Sequence, residues 1–117
     1  MPALDMLRSR LDFAALQSDS RSRTDQLLVL RYRRNGLDRT RYGISTGRRV
    51  GGAVVRNQIR RRLRHLLAAM GEDVATGWDV LIMARPAAAR ASYAELGGAL
   101  GRLARAAGLT RGELADS

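Results

Sequence analysis

Residues 41–70 read RYGISTGRRVGGAVVRNQIRRRLRHLLAAM, and they contain three successive elements around which the rest of the chain is organised. The first six residues predict a β-strand, the glycine-rich residues 47–52 predict a loop, and residues 53–70 predict a helix. One stripe of that helix is apolar, at Val55, Ile59, Leu63, Leu66 and Met70. Its arginines fall on the broad face away from the stripe, so we expect a helix with one buried side and one charged side.

The residues before this unit predict one helix and one strand. Asp12 is a suitable N-cap for a short helix, and the polar residues 17–25 predict a loop. Residues 27–34 alternate as in a strand, and Asn35-Gly36 is a good turn dipeptide. We therefore expect residues 41–46 to form a second strand that returns antiparallel to the first.

The residues after the unit predict one more strand and one more helix. Residues 78–84 are an apolar run, typical of a central strand covered on both faces. Ser92 and Glu95 form a capping box for a last helix that ends at Gly108. The order αββαβα indicates an α+β sandwich, a small sheet with helices packed mainly on one face. We expect one domain over 1–117, with an ordered core over about 7–108.

The composition excludes several classes of protein and site. There is no cysteine, which excludes disulfides and cysteine nucleophiles, and the single histidine, His65, leaves no partner for a histidine metal cluster. No stretch approaches the roughly 18 apolar residues of a membrane-spanning helix. The N-terminus lacks the apolar segment and cleavage site of a signal peptide. We therefore expect a soluble, cytoplasmic protein with no membrane partner.

The positive charge is concentrated in the middle of the chain. The net charge is +10, and residues 39–71 contribute nine arginines and no acidic residue. Arg56, Arg60 and Arg64 follow one another at a spacing of four along the helix, where like charges repel. Guanidinium groups match phosphate oxygens, and the amides of a helix N-terminus bind anions. A polyanionic partner, most commonly nucleic acid, would neutralise this block.

Residues 45–64 also match a pattern known from one family. An Arg-Asn pair is followed after two residues by two basic residues and then by a further arginine, at Arg56, Asn57, Arg60, Arg61 and Arg64. A Ser-x-x-Arg-Arg-x-Gly stretch precedes them, at Ser45, Arg48, Arg49 and Gly51. With these motifs, the chain resembles the protein component of bacterial ribonuclease P over about residues 7–108.

The resemblance implies both a function and a set of site residues. The family binds a large catalytic RNA and helps it to remove the 5′ leader of precursor tRNA. Magnesium ions bound mainly by the RNA support the cleavage, so the resemblance implies no catalytic residue in the protein, and we assign none of its residues as a metal ligand. The expected partners are therefore the catalytic RNA and precursor tRNA, with no obligate protein partner. The resemblance also implies a left-handed βαβ crossover, contrary to the usual hand.

Two groups of residues carry this expected binding. The residues expected to bind the catalytic RNA are Arg48, Arg49, Arg56, Asn57, Arg60, Arg61 and Arg64. The leader is expected in a cleft between the first helix and the sheet, lined by Phe13, Leu30, Tyr32 and Ser45. The chain departs from the family pattern at Gln17 and Leu30, where the family has aromatic residues, and at Gln58, where it often has arginine. We interpret Trp78 and Tyr93 as packing residues.

The residues alone leave other functions open. A general RNA-binding or ribosomal protein would carry the same basic block without a role in tRNA processing. A protein-only nuclease would need clustered carboxylates or a histidine acid and base, but the basic block holds no carboxylate and His65 stands alone. A DNA-binding module would place the arginine helix in the major groove, which the glycine-rich loop and the missing helix-turn-helix pattern disfavour.

Overall fold

The structure, a computed structural model, describes residues 4–110. Within that range it contains three α-helices and four strands. The helices are α1 (Arg10–Ser18), α2 (Ala53–Met70) and α3 (Tyr93–Ala106), and the strands are β1 (Arg21–Thr24), β2 (Leu28–Arg34), β3 (Arg41–Thr46) and β4 (Trp78–Ala84). The predicted helices and the three predicted strands are confirmed, and β1 is an additional strand in the segment predicted to be a loop.

The four strands form one sheet in the order β1-β2-β4-β3. β1 and β2 are antiparallel, β2 and β4 are antiparallel, and β3 runs parallel to β4. β2 and β3 therefore run in opposite directions as predicted, but β4 lies between them. β4 is the central strand that its apolar sequence predicts. Because β3 and β4 are parallel neighbours, α2 is the crossover helix that joins them, and its left-handed course stays a prediction of the family resemblance.

Helices α2 and α3 cover one face of the sheet. The main core lies there, where Leu30 and Ile82 of the sheet are buried with Leu63 of α2 and Leu100 of α3. Gly97 of α3 lies against Leu66 of α2, since a Cβ at Gly97 would come within 3.1 Å of the leucine Cδ2. Two of the three helices thus share one face, as the α+β sandwich predicts.

Helix α1 packs on the opposite face of the sheet. Its buried Leu16 forms a second, smaller core with Leu7 and with Leu81 of β4, and Phe13 and Met83 pack against this cluster. The helix begins earlier than predicted, because the Ser9 side chain accepts a hydrogen bond from the Leu11 amide at 3.1 Å. Ser9, rather than Asp12, is therefore the N-cap.

Asp12 instead helps to hold α1 over the sheet. Its carboxylate lies 3.3 Å from Arg41 Nη1, and Arg41 also donates from Nε and Nη2 to Asp79 of β4, at 2.9 and 2.7 Å. Asn35 Nδ2 donates to the same Asp79 carboxylate at 3.0 Å. The hydrogen bonding that Arg41 donates to Asp79 is the main cause that raises the pKa of Arg41 above its ordinary value. Buried Asp79 therefore has a structural function, because it ties α1, β3 and β4 together.

The segment before α1 pairs with the outer edge of β3. The Leu7 amide donates to the Tyr42 carbonyl at 2.6 Å, and the Tyr42 amide donates to the Asp5 carbonyl at 2.8 Å. Met6 and Tyr42 form an isolated parallel bridge. At the other edge of the sheet, all four residues of β1 are exposed and two of them are arginines.

Candidate nucleic-acid interface

The arginines of α2 divide between two flanks of the helix. Arg60 points toward the end of β3, where its Nη1 donates to Thr46 Oγ1 at 2.6 Å, and its Nη2 donates to Asn57 Oδ1. Arg62 points the other way, and its Nη1 donates to the Ala91 carbonyl, just before α3, at 3.3 Å. Because Arg56 and Arg64 lie one turn on either side of Arg60, they share its flank.

The seven predicted RNA-binding residues form a mostly exposed surface that carries six arginines. Five of the seven are exposed, Arg56 and Arg60 are half-buried, and all lie on α2 or in the short turn that leads into it. Among residues 4–110, none of the arginines in this set forms an ion pair with a carboxylate. The ion pairs in this range are formed by other arginines, namely Arg33, Arg39, Arg41 and Arg102. The positive charge of this surface is therefore available to an external anion.

Arg56 is half-buried, and one nitrogen of its guanidinium group is fully buried. Its Nε is buried, yet it has no hydrogen-bond partner among the described residues. A buried donor without a partner lowers the stability of the folded protein, so a bound ligand whose acceptor reaches this nitrogen would gain binding free energy. Phosphate oxygens are suitable acceptors for a guanidinium group.

The loop before α2 brings two more arginines to the start of the helix. Residues Arg48–Val50 form a single 3₁₀ turn, and Gly51 then adopts φ +152°, where a side chain is strained. No side chain caps the N-terminus of α2, whose N-cap residue is Gly52. Arg48 and Arg49 therefore lie beside a helix end whose dipole also attracts anions.

A second surface lies between α1 and the sheet. Phe13 of α1 is half-buried against Gly43 of β3, since a Cβ at Gly43 would lie 2.7 Å from Phe13 Cε1. Ser45 pairs with Met83 in the parallel register, so it lies on the same side of the sheet as Gly43. Phe13 and Ser45 are thus brought to one surface, which we call the α1-side cleft.

Leu30 and Tyr32 do not belong to the α1-side cleft, and this part of the prediction is wrong. They are only 1% and 4% exposed, and they are buried in the main core under α2 and α3. Successive residues of a strand point to opposite faces, so Val29 and Arg31 of β2 are the residues that lie on the α1 side. The alternation in residues 27–34 indicates this arrangement, because the face of the strand that contains Val29 becomes polar from Arg31 onward.

Two further observations concern the chemistry of the described residues at these surfaces. His65 Nδ1 lies 2.7 Å from the Tyr93 hydroxyl on the surface of the molecule. Across residues 4–110, no three His, Cys, Asp or Glu side chains lie close enough together to hold a metal ion. In the same part of the chain, no helix is long and apolar enough to cross a membrane. What both surfaces present is a set of groups suited to binding phosphates and bases.

Comparisons with known proteins match this chain over nearly its whole length. The family model "Ribonuclease P" matches residues 1–108. The ribonuclease P protein component of Acidothermus cellulolyticus is 40% identical over 105 residues, which are 88% of this chain and 88% of that protein. The same component of Roseiflexus castenholzii is 33% identical over 112 residues, 95% of this chain and 92% of that protein.

Solved structures share the fold. The RNase P protein of Staphylococcus aureus superposes with a TM-score of 0.84 at 22% identity, covering 91% of this chain and 97% of that chain. The RNase P protein of Thermotoga maritima gives a TM-score of 0.78 at 26% identity, covering 86% and 96%. Since the family model and the sequence relatives cover most of the chain, and since the motif residues lie together on α2, the chain belongs to the ribonuclease P protein component family.

Proposed function

We propose that this chain is the protein subunit of a ribonuclease P ribonucleoprotein and acts in the cytoplasm as a single RNA-binding domain. It binds the catalytic RNA through α2 and the turn before it, and it assists removal of the 5′ leader from precursor tRNA. The observation that carries the proposal is the surface of Arg48, Arg49, Arg56, Arg60, Arg61 and Arg64, whose charge no carboxylate among residues 4–110 neutralises.

The cleavage itself is assigned to the RNA subunit. The magnesium ions that support hydrolysis are assigned mainly to the RNA, as the family resemblance implies. The protein's own residues bind and orient: guanidinium groups contact the RNA backbone, and each contact releases counterions from it. This division of labour makes the protein a non-catalytic subunit of an endoribonuclease.

The single-stranded leader is assigned to the α1-side cleft. Phe13 supplies an aromatic ring, Ser45 a hydroxyl, and Arg31 a guanidinium group on the same side of the sheet. Single-stranded nucleic acids bind by stacking on aromatic rings and by charge along the backbone. Arg31 therefore takes the place in this cleft that the sequence had assigned to its neighbours Leu30 and Tyr32.

A processing assay tests the proposal. A bacterial ribonuclease P RNA is mixed with precursor tRNA at a magnesium concentration too low for the RNA alone, and the protein is then added. We expect the protein to restore cleavage at the correct 5′ site. A triple variant with Arg56, Arg60 and Arg64 changed to alanine is the matched control and should fail to do so.

The same assay separates the alternatives. A general RNA-binding protein would bind the RNA and leave processing unchanged, and this result would contradict the proposal. A protein-only nuclease would cleave precursor tRNA with no RNA subunit present, and that result would contradict it as well.

A further inference from the structure

A groove lies on the flank of α2 that faces the start of α3. It has a volume of about 430 Å³ and is lined by Gln58, Arg61, Arg62, His65 and Tyr93. It lies away from Arg60, because Arg60 contacts Thr46 of β3 whereas Arg62 contacts the Ala91 carbonyl. We call it the α2–α3 groove.

Tyr93 gives the groove an accessible aromatic ring. Its side chain is 40% exposed, so it is not the packing residue that the sequence suggests. Its hydroxyl lies 2.7 Å from His65 Nδ1, and the two rings are 5.8 Å apart between centroids and tilted by 53°. The hydrogen bond fixes the tyrosine ring on the surface, and an aromatic ring held there is a platform on which a flat ligand can stack.

The polar groups of the groove favour an anionic ligand. Arg61 is exposed, and Arg62 is oriented by its hydrogen bond to Ala91. Among residues 4–110, no acidic residue lines the groove. Glu95, the acid nearest in sequence, lines a different depression with Asp25 and Arg102, and it accepts a hydrogen bond from the Ser92 amide at 2.8 Å.

These groups match the parts of one nucleotide. A phosphate would meet the guanidinium groups of Arg61 and Arg62, a base would stack on Tyr93, and the amide of Gln58 offers both a donor and an acceptor to a base edge. Pockets for small ligands start at about 300 Å³, so the groove is large enough for one nucleotide but not for a duplex. Unpaired, unstacked bases are also what proteins read in RNA.

We propose that the α2–α3 groove binds one unstacked nucleotide of the bound RNA, with the base on Tyr93 and the phosphate on Arg61 and Arg62. The inference rests on the proposed function only for the identity of the RNA, which is the ribonuclease P RNA. It makes α2 a helix with two kinds of contact. The flank of Arg56, Arg60 and Arg64 binds backbone phosphates, and the flank facing α3 captures a base.

A titration with small ligands tests the groove without any ribonuclease P RNA. Amide resonances of the 117-residue chain are followed by NMR while adenosine 5′-monophosphate or ribose 5-phosphate is added. Because both carry the same phosphate, the difference between them isolates the base. We expect larger shifts with the nucleotide around Tyr93 and His65. Tyr93→Ala should abolish this difference, and Tyr93→Phe should retain it. Equal shifts with both ligands would mean a phosphate site only and would overturn the proposal.

Binding of the ribonuclease P RNA provides the second test. We expect Tyr93→Ala to weaken binding about tenfold while the dependence on salt concentration stays unchanged, because stacking releases no counterions. Tyr93→Phe should change the affinity less than about twofold, since the ring remains. Equal losses in the two variants would contradict base capture. A protein that passes the nucleotide titration but does not restore processing would refute the proposed function and leave the groove assignment standing.

Discussion

The ring of Phe13 lies directly on the backbone of Gly43. A Cβ at Gly43 would come within 2.7 Å of Phe13 Cε1 and 3.0 Å of Cζ, and within 3.2 Å of Leu81 Cδ1. Any residue larger than glycine at this position of β3 must therefore displace the ring. The shape of the α1-side cleft thus depends on a residue that carries no side chain.

Gly43→Ala should reproduce the effect of Phe13→Ala on leader recognition. Both variants remove the ring from its position, so both should reduce the preference for precursor tRNA over mature tRNA, with little effect on the affinity for the catalytic RNA. The measurement is the ratio of the two tRNA affinities in the reconstituted complex. A Gly43→Ala variant with unchanged preference would show that the position of the ring does not matter for the leader.

Arg60→Ala and Arg64→Ala should each weaken binding to the catalytic RNA and make it less dependent on salt. Each lost phosphate contact is expected to lower the slope of log K against log salt concentration by about one unit. Arg23→Ala is a matched control, because it removes one exposed arginine from β1, at the opposite edge of the sheet from β3. An equal change of slope in the control would indicate nonspecific attraction.

Neighbouring residues of β2 should separate binding from stability. Arg31→Ala should reduce affinity for the leader and leave the free energy of unfolding nearly unchanged, because Arg31 is half-buried on the cleft side. Leu30→Ala should lower the free energy of unfolding by about 2–5 kcal/mol, because it opens a cavity in the main core. Denaturant unfolding and leader affinity, measured on both variants, check this. The reverse pattern would contradict the assigned faces of the strand.

Stability should fall at alkaline pH because of Tyr42. Burial raises the pKa of Tyr42 to about 12, above its ordinary value of 10.0. As the pH rises, the Tyr42 hydroxyl therefore loses its proton at a lower pH in the unfolded chain than in the folded protein. The free energy of unfolding is unaffected below pH 10 and falls as the pH rises toward 12. The expected loss is about 1.4 kcal/mol per pH unit in this interval.

Tyr42→Phe is the control for this pH dependence. The chain has no lysine and no cysteine, so few other side chains titrate between pH 9 and 12. Free energies of unfolding at pH 9 and pH 11.5 should differ less for Tyr42→Phe than for the natural chain. An identical difference in the two proteins would assign the alkaline loss to another group.

Local patterns predict most of the secondary structure of this chain. The apolar stripe of α2, the capping box of Ser92 and Glu95 and the apolar run of β4 are each visible in a few residues, and each is confirmed. β1 was missed because Arg21–Thr24 has no apolar residue, and what holds it is backbone pairing with β2. Such pairing leaves no periodic signal in side chains.

The candidate site was harder to predict than the fold. The basic surface of α2 follows from helical spacing, so its residues are brought together as expected. The α1-side cleft depends on which face of β2 meets α1, and alternation alone does not choose between the two faces. Leu30 and Tyr32 are more apolar than Arg31, and they are therefore the residues buried in the main core. The α2–α3 groove requires Tyr93 to meet His65 across 28 positions of sequence, which only the tertiary structure reveals.

The two edges of the sheet also bear on self-association. At β3, the hydrogen bonds that Tyr42 makes with Asp5 and Leu7 occupy part of the free edge. At β1, the exposed Arg21 and Arg23 would face the same charges on a second copy. Blocked or like-charged edges oppose strand addition between molecules. Both edges of the sheet therefore disfavour aggregation of this highly positive chain through strand pairing.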